Sequence, residues 1–494
     1  AGLRTTTGTR NVAIGTSAMI CNTTGSCNTA VGGMDNGTLS TMMCNTTGNR
    51  NTAIGNAALV KNTTADNNTA VGTLALYANT TGAKNSAFGV FALENNTTGA
   101  ENVALGKDSL GANTTGPNNT AVGTNSLRRN TEGEDNTAVG NLALCTNTTG
   151  DHNVAVGLSA LHKNTTADNN VAVGTCASGC NTDGHSNVSI GFSALCTNTT
   201  GDKNIAIGHQ SLLSLATANE IVAIGYNSLR ALTTGTDNTA VGFEAGKSIT
   251  TGDRNTAMGY LALSTMTTVA DNTAVGYKAM TANTSGSNNT AVGKDAMLAN
   301  TTGANNVAIG QNALETSTSG GANTAVGQLA AQDLTTGAEN TAIGHEAGNN
   351  ITTGTNNTLL GHEAGTDAVA NVVASNGNIV IGNNYSASAK IKIDWTVTSD
   401  LRDKTEIESV PHGLNFVNQI TPIKYRFKTS RENDTPNGVT RYGFKAQEIL
   451  ALEGENPVLV DNGDTDNLKL TGAYLLPVLV NAIKELKAEI ELLK

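Results

Sequence analysis

One pentad, Asn-x-Ala-[Val/Ile]-Gly, ends at Gly55, Gly72, Gly89, Gly106 and Gly123, then returns in unbroken steps of 17 residues to Gly361. A fixed period of this length predicts a solenoid, one small unit stacked on copies of itself. Counted from its Asn, the unit has Asn51 at position 1, Ile54 at position 4 and Leu59 at position 9. Position 4 is apolar in all 22 pentads from Ile14 to Ile381, whereas position 3 is Ala except at Ser189, Leu359 and Val380. Neighbouring strand residues face opposite ways. The pattern therefore predicts a short strand with its large side chain toward the coil interior and its small one toward a closely approaching neighbour chain.

Position 8 is mostly Ala or Ser and position 9 mostly Leu (Leu59, Leu76, Leu93), which predicts a second short strand lining the same interior. Two strands and two turns then account for the unit. Position 9 loses its bulk at Gly246, Ala331 and Gly348, and there position 12 gains it as Ile249, Leu334 and Ile351. A void would cost of order 1 kcal/mol or more, so positions 9 and 12 are read as filling one volume. Elsewhere position 12 is usually Asn, opening turns such as Asn79 to Gly82, and stacked Asn side chains predict a hydrogen-bonded ladder. Gly at positions 5 and 15 is read as supplying backbone conformations closed to other residues. At ~4.8 Å per coil the repeats predict a shaft of roughly 100 Å.

Composition agrees with thin coils rather than a thick core, because aromatics make up 3% of the 494 residues and Gly contributes 55 of them. The formal net charge of -11 leaves no basic stripe for a phosphate backbone, so nucleic acid is excluded as a partner. No stretch approaches the ~20 apolar residues of a membrane span, and the opening Ala1-Gly2-Leu3-Arg4 is no signal peptide. The absence of an initiator Met suggests a missing upstream piece. Seven cysteines (Cys21, Cys27, Cys44, Cys145, Cys176, Cys180, Cys196) lack zinc-site spacing and read as reduced thiols, with Cys180 and Cys196 the pair placed for a bridge in an oxidising medium. No cofactor is expected.

Two repeat motifs have simpler readings than their functional ones. Asn-Thr-Thr matches the glycosylation acceptor but is needed for turns, and its adjacent threonines point to different sides, so they form no flat ice-binding face. His345-Glu346 and His362-Glu363 occupy equal positions in successive coils and would gather metal ligands only with several chains around an axis. A repeated polar surface turn is the simpler reading.

After Gly382 the pattern ends. Ile391, Ile393 and Trp395 alternate with polar residues as a connector strand over residues 383–398, and a distinct segment follows from Ser399. Ser399 and Lys404 lie five apart, and a neutralised lysine can act as general base to a serine nucleophile. On spacing alone the signal is weak, and an ordinary polar turn is the simpler reading. The surrounding blocks are Ser399-Asp400-x-Arg402-x-Lys404, Gly413-Leu414 through Pro422-Ile423-x-Tyr425-x-Phe427, Tyr442-Gly443-Phe444-x-Ala446-Gln447-Glu448, Pro457 to Val460, and Tyr474 to Leu479. Together they resemble the endosialidase-type C-terminal intramolecular chaperone found at the ends of phage tail fibres and tailspikes. That resemblance implies a domain that drives trimerisation and then cuts itself away, with Ser399 as nucleophile, Lys404 as base and the Thr398–Ser399 bond as the one broken.

Leu476, Leu479, Ile483, Leu486, Ile490 and Leu493 form a coiled-coil seam within about residues 474–494, which predicts an oligomer independently. Ile at a with Leu at d leans toward two strands, while the resemblance implies three. More loosely, the pentads resemble the head repeats of trimeric autotransporter adhesins, which are parallel β-rolls. The expectation is an all-β parallel β-solenoid (β-roll) shaft over 1–382, trimeric, followed over 399–494 by a small α+β chaperone domain ending in a coiled-coil helix. Its function would be a homotrimeric tail fibre of the virion, assembled in the host cytoplasm, whose partner is a host-cell surface receptor such as a glycan or surface protein. The alternatives are an extracellular surface adhesin and a polysaccharide-degrading tailspike. The latter needs paired carboxylates, and the shaft offers only scattered acids such as Asp151, Glu244 and Glu346.

Overall fold

The computed structural model describes residues 5–33, 39–366, 370–383, 385–386, 399–428, 431, 433–455, 457–463, 465 and 468–493. The connector residues Ile391, Ile393 and Trp395, and Thr398, lie outside them. The chain divides into two compact units, one of Ala1–Thr366 with Val372–Ile381, the other of Asp367–Asn371 with Gly382–Lys494.

The first unit is a parallel β-solenoid. Its 22 three-residue strands, β1 (Val12–Ile14) to β22 (Ile379–Ile381), form one parallel sheet in which each coil stacks on the next. Ala53 lies beside Ala70, and Ala70 beside Ala87. The register steps by 17 residues except where Thr29 meets Thr52 and Thr358 meets Ile379, across longer loops.

The sidedness of the strand is the reverse of the sequence expectation. The small residue faces in: Ala53 and Ala104 are fully buried, while Ile54 and Leu105 beside them are 41% and 49% exposed. The reason is volume. Leu59 at position 9 already fills the thin coil, leaving room across from it for a methyl group only. Leu359 is the exception that bears this out. It is the large residue at position 3, and a Cβ added to Gly348 or Gly365 at position 9 would come within 2.6 Å or 2.9 Å of its side chain. The exchange between positions 9 and 12 also holds, since Ile249 and Ile351 are fully buried and reach toward the space above Gly246 and Gly348.

The second strand is absent among the described residues. Positions 7, 9 and 17 instead adopt left-handed backbone, as at Ala57 (φ 53°), Leu59 (φ 54°) and Asn67 (φ 62°). Such residues cost about 1–2 kcal/mol each. The offset is that every coil bonds the coils on both sides: Leu59 N donates to Ala75 O at 2.9 Å, and Asn67 N to Asn49 O at 3.0 Å. Position 5 needs its glycine, with φ 129° at Gly55. Position 15 does not need a left-handed residue, and Ala65 and Ala167 sit there buried.

Two buried asparagine ladders hold the register. At position 12, Asn79 Nδ2 donates to Asn62 Oδ1 at 3.0 Å and Asn96 Nδ2 to Asn79 Oδ1 at 2.8 Å, a chain that continues to Asn198. At position 1, Asn68 N donates to Asn51 Oδ1 at 2.9 Å while Asn68 Nδ2 closes the coil onto Gly82 O at 3.0 Å. With their amides buried and engaged, the position-12 asparagines are closed to glycosylation. The position-12 ladder lapses first at Leu215, Leu232, Ile249 and Met266, and again at Ser317, Leu334 and Ile351. The first of these stretches coincides with an aromatic column, in which Phe192, His209, Tyr226, Phe243, Tyr260 and Tyr277 stack at position 6, with ring centroids 5.1–5.3 Å apart.

Within the second unit a short helix α1 (Leu414–Val417) precedes an antiparallel hairpin of β23 (Ile423–Lys428) and β24 (Pro436–Gly443). Helix α2 (Ala446–Glu453), the small pair β25 (Val460–Asp461) and β26 (Lys469–Leu470), and helix α3 (Leu475–Leu492) follow. Phe416, Ile449, Leu459, Val460, Leu475 and Val478 form its core.

Sidedness makes a direct prediction. Ala172→Leu places three extra carbons inside a full coil and lowers shaft stability by about 1–3 kcal/mol, read as a lower denaturation midpoint. Unchanged stability would restore the small-side-out arrangement.

Candidate processing site

Asp400 shapes the backbone that follows Ser399. Its Oδ1 accepts from Arg402 N at 2.9 Å, starting a single 3-10 turn over Leu401–Asp403, and Lys404 N donates to Leu401 O at 3.2 Å to close it. The Arg402 guanidinium straddles the same carboxylate, with Nη2 to Oδ2 at 2.6 Å and Nε to Oδ1 at 3.1 Å. Such a fork is directional as well as charged. The turn folds the chain back so that Lys404 Nζ donates to Ser399 Oγ at 2.8 Å. Ser399 and Lys404, chosen from sequence, are thus brought together, both exposed. Thr398, on the other side of the proposed scissile bond, lies outside the described residues.

The Arg402 guanidinium, and after it the Arg402 backbone N–H, hold the Asp400 carboxyl below the usual carboxylate range. A lowered carboxyl pKa means the pair is present above the ordinary Asp value and is lost only as pH falls below it. Asp400 and Arg402 were visible in the sequence as parts of a motif. Their role in turning Lys404 toward Ser399 was not, although an Asp two residues before a potential turn N–H is a recognisable capping signal.

The remaining motif blocks hold the domain together. Glu453 at the end of α2 accepts from the N–H groups of Val458, Leu459 and Val460 at 2.9, 2.7 and 3.1 Å, pinning the Pro457–Val460 block. Glu485 on α3 accepts from Leu414 N at 2.6 Å and so caps α1, whose own Gly413 has no side chain to offer. Thr421 Oγ1 donates to Glu448 Oε1 at 3.1 Å. Helix α3 has two apolar faces. Leu475, Val478 and Ala482 are buried in the domain, whereas Leu476, Leu479, Ile483, Leu486 and Ile490 are exposed.

The other sequence candidates do not assemble into a site. His345 and His362 stack at 5.1 Å, each beside its own Glu346 or Glu363 at 3.6 and 3.4 Å. Among the described residues no group of three or more His, Cys, Asp or Glu side chains gathers for a metal. Asp151 accepts from Glu134 N, Glu244 pairs with Lys247 and Glu346 with His345, so these acids are dispersed and engaged. All seven cysteines are free, and burial pushes the thiols of Cys44, Cys145 and Cys196 up. No helix among the described residues is long and apolar enough to cross a membrane.

With this geometry in place, residues 399–458 match the family model described as the chaperone of endosialidase. The match begins at Ser399, and the chain therefore carries an assembly chaperone of that type behind a parallel β-solenoid. None of the curated proteins matches the chain.

Carboxyl-detected NMR tests the turn. The Asp400 titration midpoint is expected below the ordinary value of about 3.9 and should rise in Arg402→Ala. A midpoint at the ordinary value that ignores Arg402 would remove the pair.

Proposed function

We propose that this chain is a homotrimeric viral tail fibre or tailspike, attached to the host surface through its shaft and assembled by a C-terminal chaperone that then removes itself. The observation that carries this reading is the chaperone match starting at Ser399, on the C-terminal side of a long repetitive solenoid. The exposed seam of α3 supports association, and it continues into an apolar hollow lined by Val417, Ile420, Pro422, Phe444, Leu476 and Leu479. Apolar surface of this extent is covered in the assembled state.

In the reaction, Ser399 Oγ attacks the carbonyl carbon of Thr398 as the Lys404 amine takes the hydroxyl proton. The Thr398–Ser399 C–N bond breaks and the Ser399 amine leaves with a proton, giving an ester of Thr398 on Ser399 Oγ. Water then hydrolyses the ester, releasing the Thr398 carboxylate and restoring the hydroxyl. An ammonium is no base, and an amine becomes one when solvent is withdrawn from it. Ser399 and Lys404 are exposed in the single chain, which ties the reaction to the assembled state. Each chain is cut once, as autoprocessing rather than turnover.

The test is to express the chain and analyse it denatured. Two pieces are expected, the smaller with Ser399 at its N-terminus, replaced in Ser399→Ala and Lys404→Ala by one band of 50.3 kDa. A wild-type chain that assembles yet stays intact would overturn the processing step.

A further inference from the structure

The outward face of the strand carries a continuous apolar column at position 4, beside a position-2 column of Thr, Val and Ile with one Ser. Position 4 presents 22 side chains from Ile14 to Ile381 without one charge or amide among them, and many are about two-fifths exposed, including Ile54, Phe88, Met258 and Ile343. From Phe192 to Tyr277 the ladder of stacked rings at position 6 adds a second apolar column near it, also two-fifths to one-half exposed at Phe192, Tyr226, Phe243, Tyr260 and Tyr277. Outside those turns the same position is mostly polar, as at Lys107, Asn141, Lys294 and Gln311, with Val90 and Leu158 as isolated exposed apolar residues.

The way the rings stack limits what they can receive. Neighbouring planes are only 8–17° apart, so each inner ring spends both faces on its neighbours. Their edges are what remain. A ligand that needs an open aromatic face, as a sugar ring does, finds those faces taken. The surface instead asks for an apolar partner that repeats at the strand spacing along the whole shaft. A second copy of this chain has that repeat and that length, and a rotation axis parallel to the shaft sets like coils against like.

We propose that copies of this chain meet, in register, along the outward strand face, and that the ring ladder between Phe192 and Tyr277 is the broadest part of the contact. This rests on the homotrimeric reading and assigns its shaft interface. It places the large side chains of position 4, not the small ones of position 3, between chains.

Photo-cross-linking of the full chain tests it. The substitutions Phe243→p-benzoylphenylalanine and Tyr260→p-benzoylphenylalanine report from the ladder, and Thr251→p-benzoylphenylalanine, on an exposed turn of the same region, is the control. Covalent dimers and trimers are expected from the first two, joined between equivalent turns, and none from the control. Trimers by native mass that cross-link equally from Thr251, or not at all from the ladder, would overturn the interface while leaving the homotrimer intact. A monomeric native mass would overturn both.

Discussion

Every coil of the shaft must place its backbone amides and carbonyls against those of the coils on either side, at one strand spacing, and this single constraint governs the rest. It turns each position of the unit into a column in which a residue meets its own equivalent about 4.8 Å away. Side chains that pair with themselves are therefore favoured. Asparagine amides donate one way and accept the other, threonine hydroxyls reach the next carbonyl, as Thr80 Oγ1 does to Thr97 O at 3.0 Å, and aromatic rings stack. Opposite charges pair along a column at several turns: Lys84 against Glu101 at 2.6 Å, Lys203 against Glu220 at 3.2 Å, Arg254 against Asp271 at 2.7 Å. The rings stack over the turns where Leu215, Leu232, Ile249 and Met266 interrupt the amides, whereas the later interruption at Ser317, Leu334 and Ile351 has Gln311, Gln328 and His345 in the ring column. The amide column also shows what a missed rung costs. Where Ser317 follows Asn300, the Asn300 Oδ1 and Ser317 Oγ atoms are buried with no hydrogen-bond partner among the described residues.

Much of this was legible in the sequence. The period, the parallel stacking, the asparagine ladder at position 12 and the exchange of bulk between positions 9 and 12 all follow from columns of like residues. Which face of the strand points inward did not, because alternation of large and small says only that they oppose. The usual inference, large side inward, belongs to thick cores. Here Leu59 fills the coil and Ala53 is what fits beside it, so Ile54 turns outward. The left-handed backbone at Leu59 was equally hidden, since nothing about leucine announces it and the apolar pair Ala58-Leu59 reads as strand. The ring ladder needed the columns written out turn by turn. A 3% content of Phe, Trp and Tyr looks negligible until five of those rings, with His209 among them, fall in one column.

In the second unit the motif blocks marked the chaperone segment and the Ser399–Lys404 pair, but not how one supports the other. Glu453 gathering three amides and Glu485 capping α1 explain why separated blocks hold a single small core. Asp400 and Arg402 explain why a lysine five residues from a serine points back at it. The exposed seam of α3 and the outward face of the solenoid are two apolar surfaces on one chain, and the proposed homotrimer would cover both.

Mass per unit length of the assembled shaft, measured by scanning transmission electron microscopy, tests the whole account most directly. Three 17-residue coils for every strand spacing of about 4.8 Å are predicted. A value of one coil per strand spacing would show a lone solenoid with its apolar face in water, and would contradict the account.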